Sequence, residues 1–525
     1  MSESDRTRDS YDRIPYESTP FADTHPGHLA CLARLYGIPA IDPSHCRVLE
    51  LGCASGGNLI PMAARLPGSR FLGIELSGEQ ARAGAERVAA LGLENCEIRA
   101  GDLMDMQDTG ERFDYIIAHG VYSWAPPAVR ERILELAAGL LSERGIAYIS
   151  YNSLPGWRMR GMLRDMLLYR VRGIDAPTER LAVARHYLDF LDSALGDIDA
   201  SNAEYLRYEI SRIRDAHPSY LFHEYLETYN EPVLFRDFVN AAVGKGLGYV
   251  CDIELRMQFP SFLGDHIDNL LAQIDDPIEQ WQQIDFLVNR NFHQSLLCHA
   301  GASPARMPDL ERMREFSWFA DLRPPRKLDL RRVKGQTFTV IDGQGHDVFH
   351  PLTKAALALI TEAYPNPVPY PEMVAAAANL VRGQGAAQFA RDEDELLGEL
   401  FSLYALGIVH ARPVEMTDRM DVAAFRVDPV SAQCARLGDG HIPGRHHGSV
   451  GLDRFSRRLT VLLDGTHDRD ALIETLLVDL REGRELNGLL GADTPTEAAR
   501  KQVERNMDRL LQLFRRQGLL RPAEI

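Results

Sequence analysis

A glycine-rich turn between a short apolar strand and a helix is the feature that most constrains how this chain can fold. Residues 47–51 (RVLEL) form an apolar run, and residues 52–58 (GCASGGN) follow as a turn rich in glycine. A helical stretch over 59–66 and a second apolar run over 70–76 come next. Strands that alternate with helices in this way are typical of βαβ units in a parallel sheet. The turn therefore predicts an α/β fold whose first loop lets the backbone approach a ligand closely.

The same alternation continues along the chain. Ser77 is a typical N-cap for a helix that ends near Leu91. The remaining elements predicted for this part are strands over 94–99, 113–118 and 145–151 and a helix over 129–141. From Trp157 the hydrophobic period becomes helical, and a strand pattern returns only at 249–253 and 292–298. We therefore expect a helical insertion, after which the sheet continues.

The C-terminal part is predicted to be rich in helices. A basic segment with two prolines, residues 323–334, has the composition of a linker. Two later segments, 403–413 and 513–522, each combine a helix end, a glycine, apolar residues and an Arg-Pro pair. This pattern is typical of a winged-helix-like unit at the turn into its wing strand. Its repetition favours a duplication over coincidence.

Composition indicates a soluble globular protein. The 525 residues are 45% hydrophobic and 25% charged, with no apolar run of the roughly 20 residues that a membrane span needs. The polar N-terminus lacks the pattern of a secretory signal. A formal net charge of −17 disfavours nonspecific binding to nucleic acid or anionic membranes. We therefore expect a cytoplasmic protein without membrane insertion.

The cysteines and histidines predict neither a disulfide framework nor a metal site. The seven cysteines are scattered and include no CxxC pair. The 17 histidines include no HExxH spacing. We expect the thiols to be reduced and mostly buried.

The residues of the turn distinguish between two classes of nucleotide ligand. A dinucleotide site favours G-x-G-x-x-G, but Ala54 stands at the middle glycine and Glu50 precedes the first one. A carboxylate there would repel pyrophosphate but suits a ligand with an ammonium and a sulfonium, which S-adenosylmethionine provides. Glu75 ends the second strand 18 residues after Gly57, close to the spacing expected for an acid that accepts both ribose hydroxyls.

These motifs resemble those of a known family. Residues 50–58, Glu75 and Asp102 resemble the motifs of class I S-adenosylmethionine-dependent methyltransferases. Residues 119–124, 151–157 and 220–227 are similar to members that carry a methyltransferase regulatory domain, a group that includes bacterial protein-lysine methyltransferases of outer-membrane proteins. The resemblance implies a Rossmann-like sheet, S-adenosyl-L-methionine as cofactor and a protein lysine as an acceptor.

The resemblance also assigns residues to the cofactor. They are Glu50, Gly52, Gly56, Gly57, Asn58, Glu75, Asp102 and Leu103. The glycines would surround the methionine part of the cofactor, with Glu50 near its amino group. Glu75 would hold the ribose, and Asp102 with the Leu103 backbone would face the adenine edge.

Three residues after the fourth strand are candidates for catalysis. His119 follows this strand directly, where such folds open onto the reacting methyl group. Tyr122 and Trp124 are suited to wall a channel that holds a lysine ammonium by cation–π attraction. The alternative interpretations are a structural histidine and two aromatic caps at the sheet edge. Residues 11–28 and 220–224 are further predicted to close over the site as a lid.

The predicted domains follow from these elements. They are a 1–28 arm, a 29–157 class I methyltransferase core, a 158–232 helical insertion, a 233–302 continuation of the sheet as the regulatory region, a 303–335 linker, and winged-helix-like units over 336–415 and 416–525.

The sequence is compatible with three functions. The first is methylation of an amine such as a protein lysine, and the second is methylation of a small molecule. The third is a non-catalytic regulatory protein that binds S-adenosylmethionine and signals through its winged-helix-like units. Residues 420–525 contain 16 Lys and Arg against 16 Asp and Glu, a balance that disfavours DNA recognition. Residues 119–122 (HGVY) lack the Asn/Asp-Pro-Pro-Tyr pattern of enzymes that methylate nucleobases or amides. The sequence leaves the oligomeric state open.

Overall fold

The glycine-rich turn lies at the centre of a seven-stranded sheet. A computed structural model describes residues 3–341, 343–381, 386–414, 425–482, 486 and 496–521. The strands of the sheet are β1 (Arg47–Leu51), β2 (Arg70–Glu75), β3 (Cys96–Ala100), β4 (Phe113–Ala118), β5 (Leu141–Asn152), β6 (Leu247–Asp252) and β7 (Phe292–His299). Their order is β3-β2-β1-β4-β5-β7-β6. The first five strands are parallel, and β7 runs antiparallel between β5 and β6. The strand order reverses between β1 and β4, which opens a crevice at their carboxyl ends.

Both faces of the sheet are buried. The helices up to residue 288 are α1 (Glu3–Arg13), α2 (Pro26–Leu35), α3 (Leu59–Arg65), α4 (Gly78–Leu91), α5 (Pro127–Leu140), α6 (Gly156–Arg170), α7 (Pro177–Leu195), α8 (Ser201–Ile213), α9 (Pro218–Tyr225), α10 (Phe235–Gly244), α11 (Asp265–Leu271) and α12 (Pro277–Val288). Side chains alternate along β4, so that Tyr115 and Ile117 join one apolar core while Ile116 and Ala118 join another. Because both faces of the sheet are buried, its parallel strands appear in the sequence as near-continuous apolar runs.

The helical insertion has an apolar core of its own. Leu163 of α6, Leu188 of α7 and Ile210 of α8 pack with Leu221 and Phe222 of α9. All five side chains are almost completely buried. The predicted insertion therefore folds as a helical layer, and its last helix reaches the crevice of the sheet.

The predicted linker contains part of the first C-terminal unit instead. The elements of this unit are β8 (Phe316–Phe319), β9 (Leu322–Arg323), β10 (Gln336–Val340), β11 (Gly345–Val348), α13 (Pro351–Ala363), β12 (Val368–Pro369), α14 (Tyr370–Leu380), α15 (Ala386–Ala405) and β13 (His410–Pro413). Strand β8 pairs with both β12 and β13, and Trp318 is fully buried between them. The alternating apolar residues of β8 outweigh the basic and proline-rich composition that follows them, so a linker over 303–335 is wrong.

The second C-terminal unit has a separate apolar core. Its elements are β14 (Arg426–Val427), α16 (Pro429–Leu437), β15 (His441–Pro443), β16 (Ser449–Gly451), α17 (Arg454–Leu462), α18 (Arg469–Glu482), α19 (Thr496–Arg516) and β17 (Leu520–Arg521). The predicted boundary at 415/416 and Pro522 of the repeated motif lie outside the described residues.

The two repeated motifs have the same local geometry. Helix α15 is followed by Gly407 at φ +71°, and helix α19 by Gly518 at φ +61°. A glycine adopts this left-handed conformation without steric cost and ends each helix. A short strand follows in both cases, as the motif predicted. Within the described residues, no helix is both long and apolar enough to cross a membrane.

Candidate active site

A cavity of about 260 Å³ opens at the carboxyl ends of β1, β2 and β4. Eight of the predicted site residues line it, namely Glu50, Gly52, Asn58, Glu75, Asp102, Leu103, His119 and Trp124. The N-terminal segment and α9 cover the cavity, since Tyr11, Tyr16, His223 and Glu224 also line it. The crevice expected from the strand order is therefore a walled pocket.

Glu50 carries a buried carboxylate with one oxygen left free. The side-chain amide of Asn58 donates to Glu50 Oε1 at 2.7 Å. Among the described residues, Glu50 Oε2 has no hydrogen-bond partner. Burial, with a smaller contribution from the nearby Glu75 charge, raises the pKa of Glu50 to about 7, against the opposing effect of the Asn58 hydrogen bond. A buried, unpaired oxygen of this kind suits a cationic ligand.

Glu75 is fixed at the end of β2 by backbone donors. The Ala54 N–H donates to Glu75 Oε2 at 2.8 Å, and the Ser77 N–H donates to Oε1 at 2.9 Å. Burial raises the pKa of Glu75, and these backbone hydrogen bonds oppose the shift. Each oxygen keeps a further lone pair, so the carboxylate is able to accept two hydroxyl groups.

Asp102 and Leu103 form the wall at the end of β3. Asp102 Oδ1 accepts from the Met104 N–H at 3.0 Å and so caps a short 3₁₀ turn. Leu103 is buried, and its carbonyl accepts from Arg132 Nε at 3.3 Å. The turn holds the Asp102 carboxylate at the cavity.

The glycines of the turn fall into two groups. Gly52 lines the cavity at φ +75°, and a Cβ there would lie 2.5 Å from Val121 Cγ2. Gly56 and Gly57 lie outside the cavity wall, which corrects their predicted place around the methionine part. A Cβ on Gly57 would collide with the Ser18 carbonyl, and the Gly57 N–H donates to Ser18 Oγ at 2.7 Å. Gly57 is therefore needed because the N-terminal segment packs directly on the turn, whereas a Cβ on Gly56 would collide with the side chains of Ile60 and Ile98.

His119 lines the cavity as a neutral hydrogen-bond donor. Its Nδ1 lies 2.8 Å from Tyr148 Oη, and this hydroxyl accepts from Gln294 Nε2 at 2.9 Å. Tyr148 is able to donate its own proton to Nδ1, an arrangement in which the His119 proton is on Nε2. Burial lowers the pKa of His119 to about 4. The ring is thus unsuited to the role of general base at neutral pH.

The two predicted aromatic residues lie on opposite sides of one turn. Tyr122 and Trp124 belong to a 3₁₀ turn, Tyr122–Trp124, and only Trp124 lines the cavity. The Tyr122 ring is buried in the core against Tyr151 and Phe238, at centroid distances of 6.0 and 5.3 Å. The Tyr122 ring therefore packs in the core and does not form the predicted wall of the channel.

Residues of α9 were not among the predicted site residues, although the 220–224 segment was expected to approach the site. The His223 ring stacks on Tyr11 at 4.3 Å and 15°. Its Nε2 lies 2.6 Å from the Ile14 carbonyl, and its Nδ1 lies 2.8 Å from Glu227 Oε1. These contacts fasten the N-terminal segment to the insertion and fix the orientation of α9 over the cavity.

Glu224 presents a carboxylate to the cavity from α9. It is half-buried and has no hydrogen-bond partner among the described residues. Burial raises its pKa to about 7, although the Arg160 and His223 charges act in the opposite direction. A carboxyl group with this pKa is able to take up a proton near neutral pH.

Models of three protein families match the chain. A "Methyltransferase domain" matches residues 48–145, a "Predicted methyltransferase regulatory domain" matches 217–299, and a "PKMT, C-terminal winged helix domain" matches 426–519. Uncharacterized protein RP789 of Rickettsia prowazekii (strain Madrid E) is 30% identical over 523 residues, which cover 97% of this chain and 93% of that protein. The chain belongs to the class I S-adenosylmethionine-dependent methyltransferases with a methyltransferase regulatory domain. Its cofactor is S-adenosyl-L-methionine.

Solved structures resemble this methyltransferase over nearly its whole length. PKMT2 from Rickettsia typhi in complex with AdoHcy is 26% identical with a TM-score of 0.82, covering 96% of this chain and 99% of that one. A second structure of the same protein gives a TM-score of 0.83, covering 96% and 100%. Uncharacterized protein RP028 of R. prowazekii is 34% identical over 45% of this methyltransferase and 94% of its own length. The enzyme class, the Rossmann-like sheet and the winged-helix-like C-terminal part are thereby confirmed.

Proposed function

We propose that this methyltransferase acts on a primary amine, the side chain of a protein lysine. The observation that carries the proposal is the unpaired Glu224 carboxylate in the cavity wall. A lysine amine arrives protonated, with a reference pKa near 10.4, and must lose its proton before it becomes a nucleophile. Glu224 attracts the ammonium and then accepts that proton.

The remaining wall residues suit the same acceptor. Tyr11, Tyr16 and Trp124 give the cavity aromatic surfaces, which favour an approaching ammonium and an apolar lysine stem. Burial among these rings lowers the pKa of the amine and so assists its deprotonation. The resemblance of the sequence motifs to bacterial protein-lysine methyltransferases, together with the similarity to PKMT2, supports a lysine over a small-molecule acceptor.

The predicted cofactor residues that line the cavity support S-adenosylmethionine as the ligand bound there. We assign the free Oε2 of Glu50 to the cofactor ammonium, Glu75 to the ribose hydroxyls and Asp102 to the adenine side. When bound, the cofactor supplies an electrophilic methyl group on a sulfonium sulfur. The chain contributes alignment of donor and acceptor, exclusion of water and removal of the amine proton.

The proposal is tested by label transfer into host protein. The purified chain is incubated with S-adenosylmethionine labelled in the methyl group and with lysate of its own host. We expect label in acid-precipitable protein, and loss of most of it with Glu75→Ala. Label confined to the small-molecule fraction would favour a metabolite as acceptor and contradict the proposal.

Glu75→Ala is expected to weaken cofactor binding by about 1.5–3 kcal/mol, the range of charge-assisted hydrogen bonds. Isothermal titration calorimetry measures the change. Glu79→Ala is the matched control, because Glu79 is an exposed acid in the first turn of α4 that pairs with Arg82. Equal cofactor affinity in the two variants would show that Glu75 does not bind the ribose hydroxyls.

Cofactor affinity is expected to depend on pH through Glu50. The ammonium requires Glu50 in its charged form, and the pKa of Glu50 is about 7 before the cofactor binds. Affinity should therefore be about sixfold lower at pH 6 than at pH 7.5 and should fall again where the cofactor amine deprotonates, near pH 8. Glu50→Gln should bind more weakly and lose the acidic limb. The nearby Glu75 remains in this variant, so a persistent acidic limb would assign the titration to Glu75.

A further inference from the structure

The second C-terminal unit contacts the glycine-rich turn through one histidine. His447 lies in the loop between β15 and β16, and its Nε2 is 2.8 Å from Asn58 Oδ1. The NH₂ group of the same Asn58 side chain donates to Glu50 Oε1 at 2.7 Å. A continuous line of hydrogen bonds therefore joins the C-terminal unit to the carboxylate that we assign to the cofactor ammonium.

The donors around Asn58 fix which way its amide faces. Asn58 Oδ1 accepts from the Phe21 N–H at 3.0 Å and from His447 Nε2. Thr24 Oγ1 also lies 3.1 Å away, but its hydrogen bond to the Phe21 carbonyl at 2.8 Å uses its single proton. A flipped amide would direct its NH₂ group at these donors and its oxygen at the Glu50 carboxylate. His447 thus helps to keep the Asn58 NH₂ group on Glu50.

His447 is held in this place at an energetic cost. It is almost completely buried, and it adopts a left-handed conformation, φ +68°, which is unusual for a residue with a side chain. Burial and the Arg65 and Arg412 charges lower its pKa, so the ring is neutral and carries one proton. Its Nδ1 has no hydrogen-bond partner among the described residues. Strain and an unpaired polar atom persist together mainly where a local contact has a function.

Other contacts hold the C-terminal unit against the core independently of His447. Arg65, at the end of α3, donates to the Pro443 carbonyl at 2.8 Å and also to the Gly444 carbonyl. Arg87 of α4 forms a bidentate pair with Asp439, at 2.8 and 3.0 Å. Substitution of the His447 side chain therefore leaves the docking of the unit intact.

We propose that His447 is a positioning residue for cofactor binding. It acts through Asn58 on Glu50, and the second C-terminal unit is thereby part of the S-adenosylmethionine site. The proposal concerns the cofactor and is independent of the identity of the methyl acceptor. It gives a role to a unit that lies more than 350 residues from the turn in sequence.

Two nearly isosteric substitutions test the contact. In His447→Gln the amide nitrogen replaces Nε2 as donor, whereas in His447→Met no donor remains. Both side chains carry the same backbone cost at positive φ. We expect His447→Met to weaken S-adenosylmethionine binding about five- to tenfold, as measured by calorimetry, and His447→Gln to stay within about twofold of the unsubstituted chain. Equal cofactor affinity of the Met and Gln variants would overturn the proposal.

A neighbouring histidine provides the control for structural damage. His446 is half-buried, and its ring stacks on Phe319 at 3.7 Å while its Nε2 lies 2.8 Å from the Pro365 carbonyl. His446→Met is expected to lower the melting temperature without changing cofactor affinity. A loss of cofactor affinity of the same size in His446→Met would show that the effect of His447→Met comes from general structural damage, and it would contradict a specific role of His447.

A double-mutant cycle supplies the second measurement. After Asn58→Ala, His447→Met should change cofactor affinity by less than about twofold, because the two residues act through one amide. If the Met variant fails to fold, His447→Ala takes its place in both comparisons. An effect of His447 that persists without Asn58 would contradict the proposed route to Glu50.

Discussion

Glu224→Gln is expected to lower the rate of methyl transfer by about 10²- to 10⁴-fold, the range that general-base catalysis supplies. The glutamine keeps the size of the side chain but neither attracts the ammonium nor accepts its proton. Cofactor affinity should change by less than about twofold, since we assign no cofactor contact to Glu224. The rate is measured as label incorporated into acid-precipitable host protein at saturating cofactor.

The pH profile separates loss of a base from general damage to the site. In the unsubstituted chain the rate should rise with pH and level off above about pH 7, where Glu224 becomes charged. In Glu224→Gln the amine deprotonates unaided, so the residual rate should keep rising toward the lysine pKa near 10.4. Glu204→Gln, at an exposed position of α8, is the control. A loss below about fivefold with an unchanged profile would remove Glu224 from proton transfer.

His293→Leu is expected to reduce the free energy of unfolding by about 3–5 kcal/mol. His293 Nδ1 lies 2.7 Å from Asp252 Oδ2, and Nε2 lies 2.8 Å from Asp285 Oδ2. Arg290 completes this buried network with a contact of 2.7 Å to Asp252 Oδ1. Leucine would leave two buried carboxylates with one cation between them. The network joins β6, β7 and α12, so the regulatory region should be the first part to lose structure.

Equilibrium denaturation measures this loss, and the pH dependence identifies its source. Burial and the Arg290 charge act to lower the pKa of His293, but the Asp252 and Asp285 carboxylates outweigh them and raise it. The contribution of His293 to stability is therefore complete below about pH 6.5 and is lost as pH rises through the raised value. Arg290 and His293 hold the pKa of Asp252 at about 2, so its contribution is lost as pH falls below about 4. The difference in unfolding free energy between the unsubstituted chain and His293→Leu should therefore be largest between about pH 4 and 6.5. His266→Leu, at an exposed position, is the control. A decrease of less than about 1 kcal/mol in the unfolding free energy of His293→Leu would contradict this account.

The sheet could be predicted because its signals are local. Each parallel strand is a short apolar run that ends in a turn, so strand positions such as 47–51 and 113–118 coincide with β1 and β4. The pairing of β7 between β5 and β6 depends on distant segments and has no local signal. Strand β8 was missed for a related reason, since its partners Val368 and Ala411 lie far along the chain.

The site could be predicted only where a residue is tied to a strand end. Glu50 and Glu75 occupy fixed positions in the βαβ unit, so their location at the cavity could be predicted from the sequence alone. The orientation of Tyr122 depends on one 3₁₀ turn, and its ring points into the core. Glu224 and His447 reach the site by the packing of whole units, which spacing in sequence does not express.

The identity of the methylated amino acid tests the central claim most directly. Host protein labelled by this methyltransferase is hydrolysed in strong acid, and the labelled amino acids are separated. We expect the label to co-elute with N-methylated lysine and to resist mild base before hydrolysis. Label that is released by mild base as a methyl ester, or that co-elutes with a methylated thiol, would contradict transfer to an amine.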